Sequence, residues 1–151
     1  MSELRELYQQ IILDHNKNPR NFGKLEKANR VQEGFNPLCG DHLQVYLNLD
    51  QEGVIQEIRF DGSGCAISKA SASLMSAALK GKTTAQAEAL FARFHDLLTS
   101  PAEAPVDTEG LGKLAVFAGV REFPMRVKCA TLPWHTMKAA LNGEPAPVST
   151  E

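Results

Sequence analysis

Three cysteines and one aspartate are the residues of this chain best suited to chemistry. Cys39 and Asp41 lie on either side of a glycine, Cys65 follows a glycine-rich stretch, and Cys129 lies towards the C-terminal end. Thiolates bind zinc and other soft metals, and a thiolate is also the nucleophile in sulfur transfer. Spacing alone leaves two interpretations open: a metal or sulfur-handling site, or three ordinary buried thiols.

The predicted elements place all three cysteines at element ends. Apolar residues alternate over 43–49, which predicts a half-buried strand directly after Cys39 and Asp41, and 54–60 reads as the returning strand of a hairpin. The stretch 61–64 predicts a sharp turn and a close approach of its backbone to another part of the chain, before Cys65 and an amphipathic helix.

Cys129 is predicted to begin the last helix, over 129–141, where Pro133 is acceptable only in the first turn. Cys65 and Cys129 would then lie at helix N-termini, where the helix dipole favours a thiolate.

The other elements form the scaffold for these residues. Apolar spacing predicts a first helix over 3–15, ended by the turn around Pro19, and then a polar stretch with no strand as far as Gly34. Thr83 and Gln86 have the spacing of a capping box at the start of a further helix. Three further segments are predicted: a loop over 101–110, a short helix over 111–120 and a disordered tail over 143–151. This order predicts one α+β domain, residues 1–142, with helices covering one face of an antiparallel sheet.

Three thiolates and one carboxylate suit a tetrahedral zinc site. Together Cys39, Asp41, Cys65 and Cys129 would carry a charge of about −4, which zinc reduces to about −2. A cation such as Arg126 or Lys128 on the Cys129 segment can offset the remainder. The oxygen ligand should make one corner of the site easier to exchange. His42 is expected to face outward from the strand rather than to bind metal.

Bulk properties exclude several classes of protein. The chain has 151 residues, of which 43% are apolar and 23% charged, and its net charge of −2 gives no sign of a basic nucleic-acid-binding face. No apolar run is long enough to cross a bilayer, and the N-terminal residues do not resemble a secretory signal. We therefore expect a cytoplasmic protein whose partners include neither nucleic acid nor a membrane.

Four motifs carry a family resemblance. They are residues 15–21 (HNKNPRN), 36–41 (NPLCGD), 62–68 (GSGCAIS) and 126–129 (RVKC). In this order, and with all three cysteines and the aspartate in place, they resemble the IscU/SufU family, also described as NifU N-terminal-like. The resemblance implies the SufE/NifU-like fold, with a small three-stranded antiparallel sheet and helices on one face.

Within the family the chain resembles the SufU branch. IscU-type scaffolds carry a histidine immediately before the last cysteine, and this chain has Lys128 there. The segment 101–120 also resembles an insertion typical of SufU proteins.

The resemblance implies a function and a mechanism. Zinc would be held by Cys39, Asp41, Cys65 and Cys129. A SufS-type pyridoxal-phosphate cysteine desulfurase would pass persulfide sulfur to Cys39, after a partner histidine displaces that cysteine from zinc, and the sulfur would go on to the SufB–SufC–SufD machinery. Arg126 would help to hold or gate the freed thiolate. The protein would be a sulfurtransferase in the sense that Cys39 carries sulfur covalently.

Two alternatives remain. The same ligands can assemble a 2Fe–2S cluster, as in an IscU-type scaffold, although Lys128 in place of histidine favours the carrier. In the other alternative zinc only folds the domain, and the protein activates the desulfurase by docking.

Overall fold

The computed structural model describes residues 2–37, 40–101, 110–143 and 147–149. The described residues form four α-helices, one 3-10 helix and four strands. In chain order they are α1 (Ser2–Lys17), β1 (Arg30–Asn36), β2 (Asp41–Leu49), β3 (Ile55–Ser63), α2 (Ala66–Leu79), α3 (Thr84–Thr99), the 3-10 helix (Gly112–Glu122), α4 (Pro124–Asn142) and β4 (Val148–Ser149).

The four strands form one sheet in the order β3-β2-β1-β4. The two pairings among β1, β2 and β3 are antiparallel, whereas the two-residue β4 runs parallel to β1. The α+β fold class is therefore confirmed, but the described sheet is mixed and has four strands rather than three. The fourth was unexpected because two residues carry almost no periodicity.

Residues of β2 and β3 supply the sheet side of the core. Val45 pairs with Phe60 and Leu47 with Ile58, and all four side chains are buried. Helix α4 crosses the same face so closely that a Cβ on Gly34 of β1 would overlap the Thr136 hydroxyl. Period-two alternation therefore fixes which residues of β1 and β2 face the helices.

The 15–21 motif anchors the end of α1 to α2. The buried His15 places Nδ1 2.7 Å from Ser73 Oγ, which also accepts the Arg20 backbone N–H at 2.8 Å. The Asn21 side-chain amide donates to Ser76 Oγ at 3.0 Å. The predicted first helix is confirmed, and it extends to Lys17.

The capping box at the start of α3 is also confirmed. Thr83 Oγ1 accepts the Gln86 backbone N–H, and the Gln86 side chain accepts the Thr83 backbone N–H. The helix predicted over 111–120 is present as the 3-10 helix. Most of the loop predicted over 101–110 lies outside the described residues.

The turn predicted over 61–64 was wrong, because β3 continues through Asp61 and Gly62 to Ser63. Gly62 has φ +125°, and a Cβ there would overlap the His42 carbonyl of β2. Because Gly62 has no side chain, the backbones of β2 and β3 can approach each other closely at this point of the ladder. The glycine serves this approach and not a turn.

The predicted start of the last helix was also wrong. Helix α4 begins at Pro124, which occupies the first turn, and Pro133 lies inside the helix. Cys129 is therefore in the second turn and not at the N-terminus, so the helix-dipole argument does not apply to it. Pro133 also has no N–H to donate to the Cys129 carbonyl four residues earlier.

Within the predicted disordered tail, Val148 and Ser149 pair with β1, which disordered residues would not do. The domain limits at 1 and 142 stay a prediction. No helix of the described residues has the length and apolar character that a membrane crossing needs.

Candidate metal centre

Asp41 is brought into the interior by its register in the sheet. It is the first residue of β2, on the inward face with Leu43 and Val45, and its side chain is 2% exposed. Its Cα partner on β1 is Asn36, which is 1% exposed. The paired ends of two strands therefore direct a carboxylate and an amide to one buried point.

Cys65 approaches Asp41 from the start of α2. It is the N-cap residue of that helix, with extended backbone, and its backbone N–H donates to Asp41 Oδ1 at 2.8 Å. Its side chain is half-buried. As predicted, this cysteine lies at a helix N-terminus, where the free N–H groups face its sulfur.

Cys129 is fully buried and completes the group from α4. Its Sγ receives the Asn36 side-chain amide at 3.4 Å, and the same amide nitrogen lies 3.3 Å from Asp41 Oδ2. Cys129 Sγ also lies 3.6 Å from the Met125 carbonyl oxygen within α4, so its single thiol hydrogen can point either to that carbonyl or to the Cys65 sulfur.

The ligand atoms of Asp41, Cys65 and Cys129 all lie within 4.8 Å of one another. In a tetrahedral zinc site the donor atoms are about 3.5–3.8 Å apart, given bond lengths of about 2.0–2.3 Å. Two thiols and one carboxylate are suitable zinc ligands, so small side-chain movements would let these residues hold the ion. Cys39, the fourth predicted ligand, lies outside the described residues.

The electrostatics of the group favour one thiolate. The pKa of Cys65 is lowered from 9.0 to about 6, chiefly by a hydrogen bond from the Cys129 thiol. Burial acts in the opposite direction, while the backbone N–H groups of Ser68 and Ile67 lower the pKa further and the Asp41 carboxylate raises it. A thiolate at neutral pH is the form that binds metal.

Gly64 leaves just enough room for the Asp41 carboxylate. A Cβ at this position would lie 2.7 Å from Asp41 Oδ1 and 2.5 Å from Ser68 Oγ. The glycine before Cys65 therefore serves close packing against the carboxylate rather than a turn.

The remaining candidates lie around or away from this group. Arg126 is exposed in the first turn of α4, one turn before Cys129, and Lys128 is partly exposed. His42 faces outward as predicted: its ring stacks on Phe35 at 4.5 Å, and its Nε2 lies 2.7 Å from Glu33 Oε2.

No role was predicted for Asn36 from the sequence, although it contacts both Asp41 and Cys129. It belongs to the 36–41 motif, but its strand lies in a polar stretch where no strand was predicted. Its five-residue separation from Asp41 across a Pro- and Gly-containing turn was the available signal, since that spacing suits a hairpin.

Residues 7–130 match the family model described as "NifU-like N terminal domain". The chain belongs to this family. This NifU-like chain is 38% identical over 143 residues to the zinc-dependent sulfurtransferase SufU of Bacillus subtilis, a match that covers 95% of both chains. It is also 39% identical to the iron–sulfur cluster assembly scaffold protein IscU of Streptococcus pyogenes, with 93% of this chain and 86% of that protein covered.

Solved structures agree on the fold. A crystal structure from Fervidobacterium islandicum, of a proposed iron–sulfur cluster assembly scaffold protein for the SUF system, superposes with a TM-score of 0.81 at 36% identity. That match covers 91% of this chain and 98% of the other. A NifU-like N-terminal domain from Brucella abortus, at 22% identity, shares the fold with a TM-score of 0.79 over 93% of this chain and 97% of that one.

Proposed function

We propose that this NifU-like protein is a zinc-dependent sulfur carrier in iron–sulfur cluster biogenesis. The observation that carries the proposal is the convergence of Asp41, Cys65 and Cys129 within 4.8 Å, from three separate elements. The SufU relative from Bacillus subtilis is described as a zinc-dependent sulfurtransferase, and the similarity covers 95% of both chains.

Zinc would be held by Asp41, Cys65 and Cys129, with Cys39 as the fourth ligand. Only Gly40 separates Cys39 from Asp41 in the sequence, so chain length allows both to reach one ion. Bound zinc would keep the thiols deprotonated at neutral pH and close to one another.

Cys39 is proposed to accept the sulfur. Its thiolate attacks the outer sulfur of a persulfide on the partner, the partner's S–S bond breaks, and a new S–S bond forms on Cys39. The partner cysteine leaves as a thiolate, so the transfer needs no external oxidant or reductant. Cys65 and Cys129 stay behind as ligands, since Cys129 is fully buried and Cys65 half-buried.

The donor is proposed to be a SufS-type pyridoxal-phosphate cysteine desulfurase, and the recipient the SufB–SufC–SufD machinery, in the cytoplasm. Arg126 is proposed to hold the freed Cys39 thiolate. It is exposed one turn before Cys129 on α4, so its guanidinium can lie at the outer edge of the site.

A second candidate is a scaffold that assembles a 2Fe–2S cluster on the same ligands. The 39% identity to the Streptococcus pyogenes IscU protein favours it. Lys128 argues against it, because the resemblance to IscU-type scaffolds would place a histidine immediately before the last cysteine, and this chain has a lysine there.

Elemental analysis of the protein as purified, together with its visible spectrum, separates the two candidates. The carrier predicts about one zinc per chain and no visible absorbance. Iron together with sulfide-to-iron charge-transfer bands would instead establish the scaffold.

Stimulation of the desulfurase separates the carrier from a protein that only docks. We expect Cys39→Ala to abolish the stimulation of sulfide production while zinc stays bound through the other ligands. Cys65→Ala is the matched variant, since it keeps the proposed acceptor but should lose zinc. Full stimulation by Cys39→Ala would refute the carrier role of that cysteine.

A further inference from the structure

Asn36 lies between two of the proposed metal ligands. Its amide nitrogen is 3.3 Å from Asp41 Oδ2 and 3.4 Å from Cys129 Sγ, and the side chain is 1% exposed. The reversed amide orientation would turn the amide oxygen towards the carboxylate, and two acceptors would then face each other. The chemistry of the neighbours therefore fixes the donor side of the amide towards them.

Among the described residues, the amide oxygen has no hydrogen-bond partner. The hydrogen bonds that the described residues do show for this side chain are both made by its NH2 group. What the side chain does achieve is a bridge: one NH2 group supplies a hydrogen to a strand carboxylate and a hydrogen to a helix thiol.

We infer that Asn36 is a positioning residue of the metal centre, which holds the Asp41 carboxylate and the Cys129 sulfur at a fixed distance from each other through its amide. This inference rests on the proposed function, since it takes that group to be a zinc site. Hydrogen bonds to the atoms of bound ligands fix ligand orientation and tune the metal, and losing one commonly costs 10–100-fold in metal affinity.

The backbone around Asn36 is itself held firmly. Asn36 is paired with Asp41 in the β1–β2 register, and Gly34, two residues earlier on the same face, packs against Thr136 of α4. The amide therefore links the sheet to α4 at the one point where each contributes a ligand. A role limited to closing the hairpin would need neither the contact with Cys129 nor full burial.

The test compares Asn36→Leu with Gln32→Met, in the full chain. Both substitutions replace a buried amide of β1 with an apolar side chain of similar size, on the same face of the strand. Gln32 lies four residues before Asn36, on the far side of Gly34 from the proposed ligands. Zinc affinity is measured by competition with a chromophoric chelator, and folding by circular dichroism. We expect Asn36→Leu to bind zinc about 10–100-fold more weakly, and Gln32→Met to match the wild type.

The outcomes distinguish this inference from the proposed function. If the wild type binds no zinc, both are overturned. If the wild type binds zinc and a folded Asn36→Leu binds it equally well, only the role of Asn36 is refuted.

A second measurement needs no variant and serves if Asn36→Leu does not fold. In the nuclear magnetic resonance spectrum of the wild type, zinc should shift the side-chain amide protons of Asn36 and leave those of Gln32 in place. An Asn36 amide signal that does not respond to zinc would refute its contact with the ligands.

Discussion

Gly64→Ala should weaken zinc binding while leaving the fold intact. The added methyl carbon would lie 2.7 Å from Asp41 Oδ1, about 0.7 Å less than the 3.4 Å at which ordinary contact begins. The Ser68 hydroxyl, at 2.5 Å, would have to change rotamer and give up its hydrogen bond to the Cys65 carbonyl. The carboxylate cannot move as freely, because the Cys65 N–H holds it at 2.8 Å and the Asn36 amide at 3.3 Å. The φ angle of Gly64 is outside the left-handed region, so alanine adds no backbone strain.

The size of the effect follows from that displacement. Binding sites tolerate errors of about 0.5 Å in their ligands, so a shift of about 0.7 Å should disturb the coordination of Asp41. A disturbance of this kind typically costs 10–100-fold in metal affinity, which corresponds to about 1.4–2.7 kcal/mol.

The assay is again zinc competition with a chromophoric chelator, and Gly119→Ala is the control. Gly119 also lies outside the left-handed region, but a Cβ there would meet no atom within 4 Å. Equal zinc affinity in Gly64→Ala, Gly119→Ala and the wild type would show that the Asp41 carboxylate is not a ligand.

Three further outcomes are expected. In zinc-free protein, alkylation of Cys65 by iodoacetamide should rise with a midpoint near pH 6, because the pKa of this thiol is lowered to about 6; peptide mass spectrometry at a series of pH values measures it, and a midpoint near 9 would contradict the hydrogen-bonded geometry. Burial lowers the pKa of His15 in the folded protein below 6.5. The free energy of unfolding should therefore be highest above pH 6.5 and should fall as the pH drops below that value, because protonation then favours the unfolded chain. Urea unfolding of the wild type should show this loss, and His15→Gln should make it smaller. Gly34→Ala should destabilise the protein by about 1–3 kcal/mol in urea unfolding, because its Cβ would overlap Thr136; unchanged stability would mean that α4 is not packed so closely on β1.

The sequence predicted strand β2 well and strand β1 not at all. On β2 the inward residues Leu43, Val45 and Leu47 are apolar, so alternation is visible in the residue types. On β1 the buried positions hold Gln32, Gly34 and Asn36, none of which is a hydrophobic side chain; Gly34 packs against α4, and Asn36 contacts Asp41 and Cys129. Patterns of hydrophobicity cannot locate a strand whose buried residues are polar or glycine.

The last helix was misplaced for a related reason. Because a proline is favoured in the first turn of a helix, Pro133 led to a predicted start near residue 129. The helix begins at a different proline, Pro124, and Pro133 lies in its interior. Consequently Cys129 was predicted at a helix N-terminus, whereas it lies in the second turn of α4, with its sulfur within 4.8 Å of the ligand atoms of Asp41 and Cys65. The role of Asn36 needed the structure, since hydrogen bonds to two ligands from different elements leave no mark in spacing.

The central claim, that Cys39 carries sulfur, is tested most directly by mass spectrometry. The zinc-loaded protein is incubated with a SufS-type desulfurase and cysteine, and its peptides are analysed without reduction. The account predicts one added sulfur atom on the peptide that contains Cys39, and none on those containing Cys65 or Cys129. Added sulfur on either of the other cysteines, or on none of the three while the desulfurase is active, would contradict it.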